Sequence, residues 1–333
     1  MMFSFNSKEE FIRQKGIENR SILFCVLDWG LGHATRSIPL IEALLNSGNS
    51  VIIASSGKSA ILLKARFPNL VHEALDPFEI KYSESKYLFS AYMALQIPSF
   101  LKQIKKDKAL TKSLIEKHQI DTVISDHRYG CYAENTVSYI ICHQLQLPLK
   151  SSKLIAQNLH ERELKAFDEI IVPDFFDERS LAGNLSKNDT LDMVKNYIGP
   201  LSRFEMVSSS EGVKSLEAVA IISGPEPLRS RFEKETIEKF KSNPENKFVL
   251  VRGLPSEKAE SFVDGNVQIF SHLDDKSLID IIKKSNTVIS RSGYSSIMDY
   301  YFLKCKAIIL PTPGQNEQEY LSEYWKNRSF KPA

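Results

Sequence analysis

Ser21-Ile22-Leu23-Phe24-Cys25-Val26-Leu27-Asp28-Trp29-Gly30-Leu31-Gly32-His33-Ala34-Thr35-Arg36 is the stretch whose reading decides the fold. Its first seven residues, SILFCVL, form an unbroken apolar run, the pattern of a parallel strand buried on both faces. After the glycines, Ile38, Leu40, Ile41, Leu44 and Leu45 recur at helical spacing, and Gly48 is placed to end that helix. Ser50–Ser55 (SVIIAS) is a second short β run. Strand, glycine-rich turn, helix, strand is a βαβ unit.

Outward from this unit the alternation continues. Thr122–Ser125 (TVIS) follows a long helical stretch and leads into Asp126-His127-Arg128; Leu147–Ser151 and Glu169–Pro173 read as further strands. The pattern pauses at Tyr197-Ile198-Gly199-Pro200-Leu201, where Gly-Pro is a breaker. A second series then begins with Ala218–Ser223, Phe248–Val251, Val267–Phe270, Thr287–Ser290 and Ala307–Leu310. The reading predicts an α/β protein of two Rossmann-like domains, 1–200 and 201–333. A chain of 333 residues is long enough for two ordinary cores.

Composition narrows the function. Hydrophobic residues make up 42%, charged residues 25%, and the net charge is +2. That balance is globular, and no strong field drives binding to nucleic acid. The four cysteines, Cys25, Cys131, Cys142 and Cys305, lack metal-type spacing and read as free thiols of a reducing compartment. The first 20 residues have no apolar core of signal-peptide type, and no run approaches the ~20 apolar residues that cross a bilayer. A cytoplasmic protein is expected. The lysine-rich stretch Phe100–Lys117 reads as a surface helix with an apolar stripe of Phe100, Leu101, Ile104, Thr111 and Ile115. Its basic face could also touch anionic lipid, placing the protein peripherally at a membrane.

Three constellations carry candidate chemistry. Gly30-x-Gly32-His33 stands at the carboxyl end of a strand, where open α/β sheets collect ligands. The third glycine of a dinucleotide fingerprint is missing. His33 has a side chain whose pKa suits a general base, the alternative being a helix-capping or structural histidine; Arg36 could equally hold an anionic group or pair with a carboxylate. The second is Ser290-Arg291-Ser292-Gly293-Tyr294-Ser295-Ser296-Ile297-Met298-Asp299. Ser292, Gly293, Ser295 and Ser296 at a helix start would turn backbone N–H groups toward a phosphate, with Asp299 further along to meet ribose hydroxyls. Ordinary N-capping is the bland alternative. The third is Pro311–Gln318, whose Glu317 and Gln318 could read sugar hydroxyls; Ser223-Gly224-Pro225 is a further phosphate-loop candidate. Asp126, His127 and Arg128 are candidates for an acceptor side. No D-x-D metal site is present in the sequence, and Asp274-Asp275 reads as a helix start, so neither a metal nor a cofactor is expected.

Taken in this order, the pieces from about Ser21 to Gln318 resemble the GT-B glycosyltransferases, in particular the MurG-like and monogalactosyldiacylglycerol-synthase-like branch. The sharpest part is ISRSGYSSIMDYYFLKCKAIILPTPGQNEQEY. The resemblance implies two Rossmann-like domains facing across a cleft. It implies donor diphosphate at Ser292, Gly293, Ser295 and Ser296, ribose at Asp299, donor sugar at Glu317 and Gln318, and Gly224 lining the nucleotide cleft. It places Gly32 in the acceptor loop and His33 opposite the anomeric carbon. Asp299 stands where the family has Glu, and GLGHATR departs from the G-G-H-x-x-P of the cell-wall enzymes, so their acceptor is not carried over.

The expected function is therefore inverting, metal-independent transfer of a sugar from a nucleotide diphosphate donor, in particular a UDP-sugar, to an acceptor hydroxyl. The acceptor could be a lipid, a glycan or a small molecule. G-x-G-H-x-x-R also resembles the PseG-like UDP-sugar hydrolases, in which His33 would activate water. A nucleotide-sugar binding protein without turnover is a third reading.

Overall fold

The computed structural model describes residues 1–77, 95–148, 153–205, 213–254, 260–328 and 330. The chain divides into two compact units, the first comprising Met1–Lys81 and Met93–Arg203, the second including Phe204–Ala333. Each is built on its own sheet.

In the first unit the elements run β1 (Met2–Ser4), α1 (Lys8–Gln14), β2 (Ser21–Val26), α2 (Leu31–Asn46), β3 (Ser50–Ser55), α3 (Gly57–Arg66), β4 (Val71–Ala74), α4 (Ile97–His118), β5 (Thr122–Asp126), β6 (Val137–Ile141), α5 (Lys153–Leu164), β7 (Glu169–Val172) and β8 (Val194–Tyr197). The sheet order is β1-β8-β7-β6-β5-β2-β3-β4, and all of its pairings are parallel. The SILFCVL run behaves as its composition demands: Ile22, Leu23, Phe24, Cys25 and Val26 are fully buried. From β2 the chain goes to β3 on one side, while β5 lies on the other. This is a topological switch, the place where strand ends leave a crevice. Val26 is in register with Asp126 across it, so the loops carrying Gly32 and Asp126 leave the sheet at one level.

The lysine-rich helix is α4. Leu110, Leu114 and Ile115 pack it on the cluster of Leu23, Cys25, Ala54 and Val123, while Phe100 and Ile104 pack on that of Tyr129, Ile140 and Ile170. Its buried face also carries a charge, Asp107, which accepts two hydrogen bonds from Arg128, at 2.8 Å from Nε and 3.0 Å from Nη2. At the end of β2, Asp28 accepts the backbone N–H of Ser59 at 3.1 Å and so holds the first turn of α3. Gly57 is required there: its φ is +50°, and a Cβ would stand 1.8 Å from an Asp28 carboxylate oxygen.

The second unit runs β9 (Leu216–Ile221), α6 (Leu228–Lys241), β10 (Phe248–Val251), β11 (Ser261–Asp264), β12 (Val267–Phe270), α7 (Asp275–Lys284), β13 (Ser285–Arg291), α8 (Tyr294–Leu303), β14 (Ala307–Leu310) and α9 (Asn316–Trp325). The order is β11-β12-β10-β9-β13-β14, with β11 antiparallel and the rest parallel. Phe232 and Phe240 of α6 pack on Ala218, Ala220 and Leu250, and Phe240 stacks on Phe248 at 4.1 Å. The switch here lies between β9 and β13. Asp274 caps α7 by accepting the Ser277 N–H at 2.9 Å, the helix start that the acidic pair announced.

The strand after β5 is Val137–Ile141, not the expected Leu147–Ser151. Leu147 and Pro148 lie in a loop, and residues 149–152 fall outside the described ones. Gln157 Oε1 accepts the Leu147 N–H at 2.9 Å, so a side chain replaces the ladder partner that a strand would need. Four edge or near-edge strands, β1, β4, β8 and β11, also escape the apolar-run signature. The largely exposed β1, β4 and β11 need no continuous apolar run, while β8 is buried but carries Lys195 and Asn196.

Candidate active site

The first cluster forms at the switch of the first sheet. Gly30 is the N-cap of α2 with φ +90°, so Gly32 and His33 are the second and third residues of the helix rather than part of a free turn. That start lifts His33 over the end of β5. Its Nδ1 lies 2.9 Å from Asp126 Oδ1. A carboxylate can only accept, so a hydrogen bond to Asp126 uses the tautomer with the proton on Nδ1 and the lone pair on Nε2; Arg36 Nη2 lies 2.9 Å from the same Nδ1. Arg36, one turn on, donates through Nε to Asp126 Oδ2 at 2.8 Å and through Nη2 to Asp126 Oδ1. Ser37 Oγ is 3.1 Å from Asp126 Oδ2 and 2.8 Å from the His33 carbonyl oxygen. Of the two readings open for Arg36, the structure shows the carboxylate pair: the guanidinium is only 2% exposed and bonds Asp126 through Nε and Nη2.

The electrostatics follow from that geometry. Burial alone would push the Asp126 carboxyl up, but the charges of Arg36 and His33 overcome it and hold the group far below the ordinary carboxylate range. Burial, then the Arg36 charge, lowers His33, with Asp126 opposing. His33 is thus a neutral imidazole at physiological pH, oriented by a permanent carboxylate.

Two further histidines line the same edge. His127 takes a left-handed φ of +60°, and its ring stands 5.7 Å from His33 and 6.4 Å from His143. Burial, then the charges of His33 and Arg36, holds it well below the ordinary value. Its Nδ1 is buried and has no hydrogen-bond partner among the described residues. His143, at the end of β6, meets Arg36 Nη1 at 3.2 Å and was not anticipated from the sequence. Arg128 does not join this cluster. Its guanidinium is buried against Asp107 and donates also to the Asp76 carbonyl, so it ties α4 to the sheet.

In the second unit the candidate residues gather at the ends of β9, β13 and β14. Gly293 is the N-cap of α8, and a Cβ there would meet nothing within 4 Å, so open space lies before the helix start. Ser292 is fully buried and donates from Oγ to the Gln318 carbonyl oxygen at 2.7 Å. It therefore ties the α9 loop to β13 and has no proton left for a phosphate. Gln318 Oε1 accepts the Thr312 N–H at 2.8 Å. Ser295, Ser296, Asp299 and Glu317 are half-buried along the first turns of α8 and α9. Gly224 has φ +113°, a conformation that a side chain would strain, in the loop after β9.

Residues 20–174 match glycosyl transferase family 1, and residues 223–325 match the glycosyltransferase family 28 C-terminal domain. An uncharacterized glycosyltransferase of Methanosarcina acetivorans is 24% identical over 315 residues, covering 90% of this chain and 81% of that one. Among solved structures, the glycotransferase of kitacinnamycin is 17% identical with a TM-score of 0.58, covering 93% of this chain and 85% of its own. LpCGTa, solved in complex with UDP, is 14% identical with a TM-score of 0.58, covering 92% and 83%. The fold is GT-B. With matched glycosyltransferase domains in both units, the chain is a sugar-transferring enzyme, a GT-B glycosyltransferase, and the family 28 match fits the MurG-like resemblance.

Proposed function

We propose that the enzyme inverts the anomeric centre of a nucleotide diphosphate sugar, in particular a UDP-sugar, as it transfers the sugar to an acceptor hydroxyl, with His33 as the base. The observation that carries this reading is the His33–Asp126 pair, with Nδ1 turned to the carboxylate. His33 Nε2 takes the hydroxyl proton as the acceptor oxygen bonds to the anomeric carbon. The bond from that carbon to the diphosphate oxygen breaks, and the nucleoside diphosphate leaves with the electron pair. The N–H groups at the Gly293 helix start meet the charge developing on it, a role that asks for no metal. The UDP in the LpCGTa structure supports UDP as the nucleotide.

Calorimetric titration with UDP, GDP and dTDP, followed by incubation of the matching sugar conjugates in water, tests the reading. Tight UDP binding without release of free sugar is the expected result. Rapid release of UDP and sugar would make water the acceptor, as in the PseG-like hydrolases, and binding of no nucleotide would overturn the donor site. Asp299→Ala is expected to weaken UDP by ~10–100-fold, the worth of a hydrogen-bonded charged acceptor. An unchanged dissociation constant would remove Asp299 from the ribose contact.

The acceptor side is read as membrane-proximal. Lys102, Lys105 and Lys112 are exposed along α4, and Leu95 is 77% exposed just before it, with Ile97 exposed at its start. Co-sedimentation should show salt-sensitive binding to vesicles with phosphatidylglycerol and little to pure phosphatidylcholine; equal retention on both would refute an electrostatic contact.

A further inference from the structure

The second unit holds a polar group that neither its packing nor its hydrogen bonds explain. Thr312 follows β14, is completely buried, and its Oγ1 has no hydrogen-bond partner among the described residues. Leaving a hydroxyl unmet in the interior is unfavourable, and valine would fill the same space without that cost. A buried hydroxyl of this kind points to a ligand oxygen as its partner.

The topology says where that ligand would lie. Ile221 of β9 is in register with Ser290 of β13, and Arg291 of β13 with Leu310 of β14, so the three strands end nearly level. Thr312 Oγ1 is 3.8 Å from the place where a Cβ on Gly224 would stand. Gly224 follows β9 and Thr312 follows β14, while β13 runs between those strands. A contact between the two outer loops therefore passes across the end of β13, at Ser292 and Gly293. There Gly293 faces open space at the start of the ten-residue helix α8. The Gln318 side chain accepts the Thr312 N–H at 2.8 Å and so fixes its main chain.

We propose that Thr312 is a donor-binding residue whose Oγ1–H donates to an oxygen of the diphosphate seated at the Gly293 helix start. The proposal rests on the reading of the second unit as the donor site. It also accounts for Ser292: the family-like serine has given its proton to the Gln318 carbonyl, and Thr312 supplies a hydroxyl in its place.

The test is calorimetric titration of the full chain with UDP, run on the wild type, Thr312→Val, Thr312→Ala and Thr312→Ser. Loss of one hydrogen bond to a charged oxygen should weaken UDP by ~10–100-fold in the valine and alanine variants. Serine should bind within about threefold of wild type, because it keeps the donor. The melting temperature of the ligand-free valine variant should be unchanged or higher, since an unmet hydroxyl has been removed. Wild-type affinity in both the valine and alanine variants overturns the assignment, as does a serine variant as weak as valine. Failure of the wild type itself to bind UDP, GDP or dTDP instead sinks the donor reading on which the proposal stands.

Discussion

His33→Ala is expected to cut sugar transfer by ~10²–10⁴-fold while leaving nucleotide affinity unchanged, the signature of a lost general base. The affinity half of this expectation follows from placement. His33 belongs to the first unit and the candidate diphosphate and ribose contacts to the second. His33→Gln separates two roles, because glutamine can still reach Asp126 through its amide but cannot take up a proton. If the glutamine variant transfers sugar at the wild-type rate, His33 only holds the helix start. The pH profile gives an independent reading. Burial and the Arg36 charge lower the His33 pKa, so the base stays neutral below the ordinary ~6.5 of histidine. The acid limb of kcat/KM should therefore fall below that value and vanish in His33→Ala. The stability linkage has the matching sign. Between the lowered value and ~6.5 the unfolded chain binds more protons at this site than the folded one, so stability from His33 rises with pH across that window and is lost as pH falls.

Most of the fold was legible because parallel strands covered on both faces must be apolar throughout. SILFCVL, SVIIAS and FVLV announced themselves. The strands that went unread are those for which that demand is relaxed. Val194–Tyr197 contains Lys195 and Asn196, both buried. The Lys195 ammonium donates to the Leu191 carbonyl at 2.5 Å, and the Asn196 amide donates to the Glu169 carboxylate at 2.8 Å. Partners of that kind are invisible to a hydropathy pattern. The same limit governed the site. Glycine spacing and strand-end position sufficed to select His33 and Asp126. Their contact spans 93 residues of sequence and depends on the β2–β5 register, which no local pattern encodes. Reading Val137–Ile141 as a strand would have put His143 at a strand end and flagged it. Arg128, chosen for the same reason as Asp126, went elsewhere because Asp107 is buried on the sheet-facing side of α4. Thr312 carries no signal in the sequence at all, since its significance lies in a missing partner.

Asp126→Asn is the second substitution from which a large effect is expected, and it should act on stability and turnover together. The carboxylate is fully buried and meets Arg36 twice, His33 once and Ser37 once. Neutralising it leaves a guanidinium that is 2% exposed without its counter-charge. Breaking a buried pair from one side costs ~3–5 kcal/mol, or a fall of roughly 6–20 °C in the unfolding midpoint of the first unit. Turnover should fall by up to ~10⁴-fold, because an amide in place of the carboxylate no longer fixes the proton on Nδ1, the loss known for the analogous change in a Ser-His-Asp triad. The acid side of the stability curve gives a further check. Arg36 and His33 depress the Asp126 carboxyl despite its burial, so its stabilisation is complete above the unfolded value of ~3.9 and is lost as pH falls below it. That loss should be smaller in Asp126→Asn. Replacing both partners, as Asp126→Leu with Arg36→Met, removes the charge along with its counter-charge and should recover most of the stability. It should recover none of the turnover. If transfer returns with stability, Asp126 serves the fold alone, and the orientation of His33 has another source.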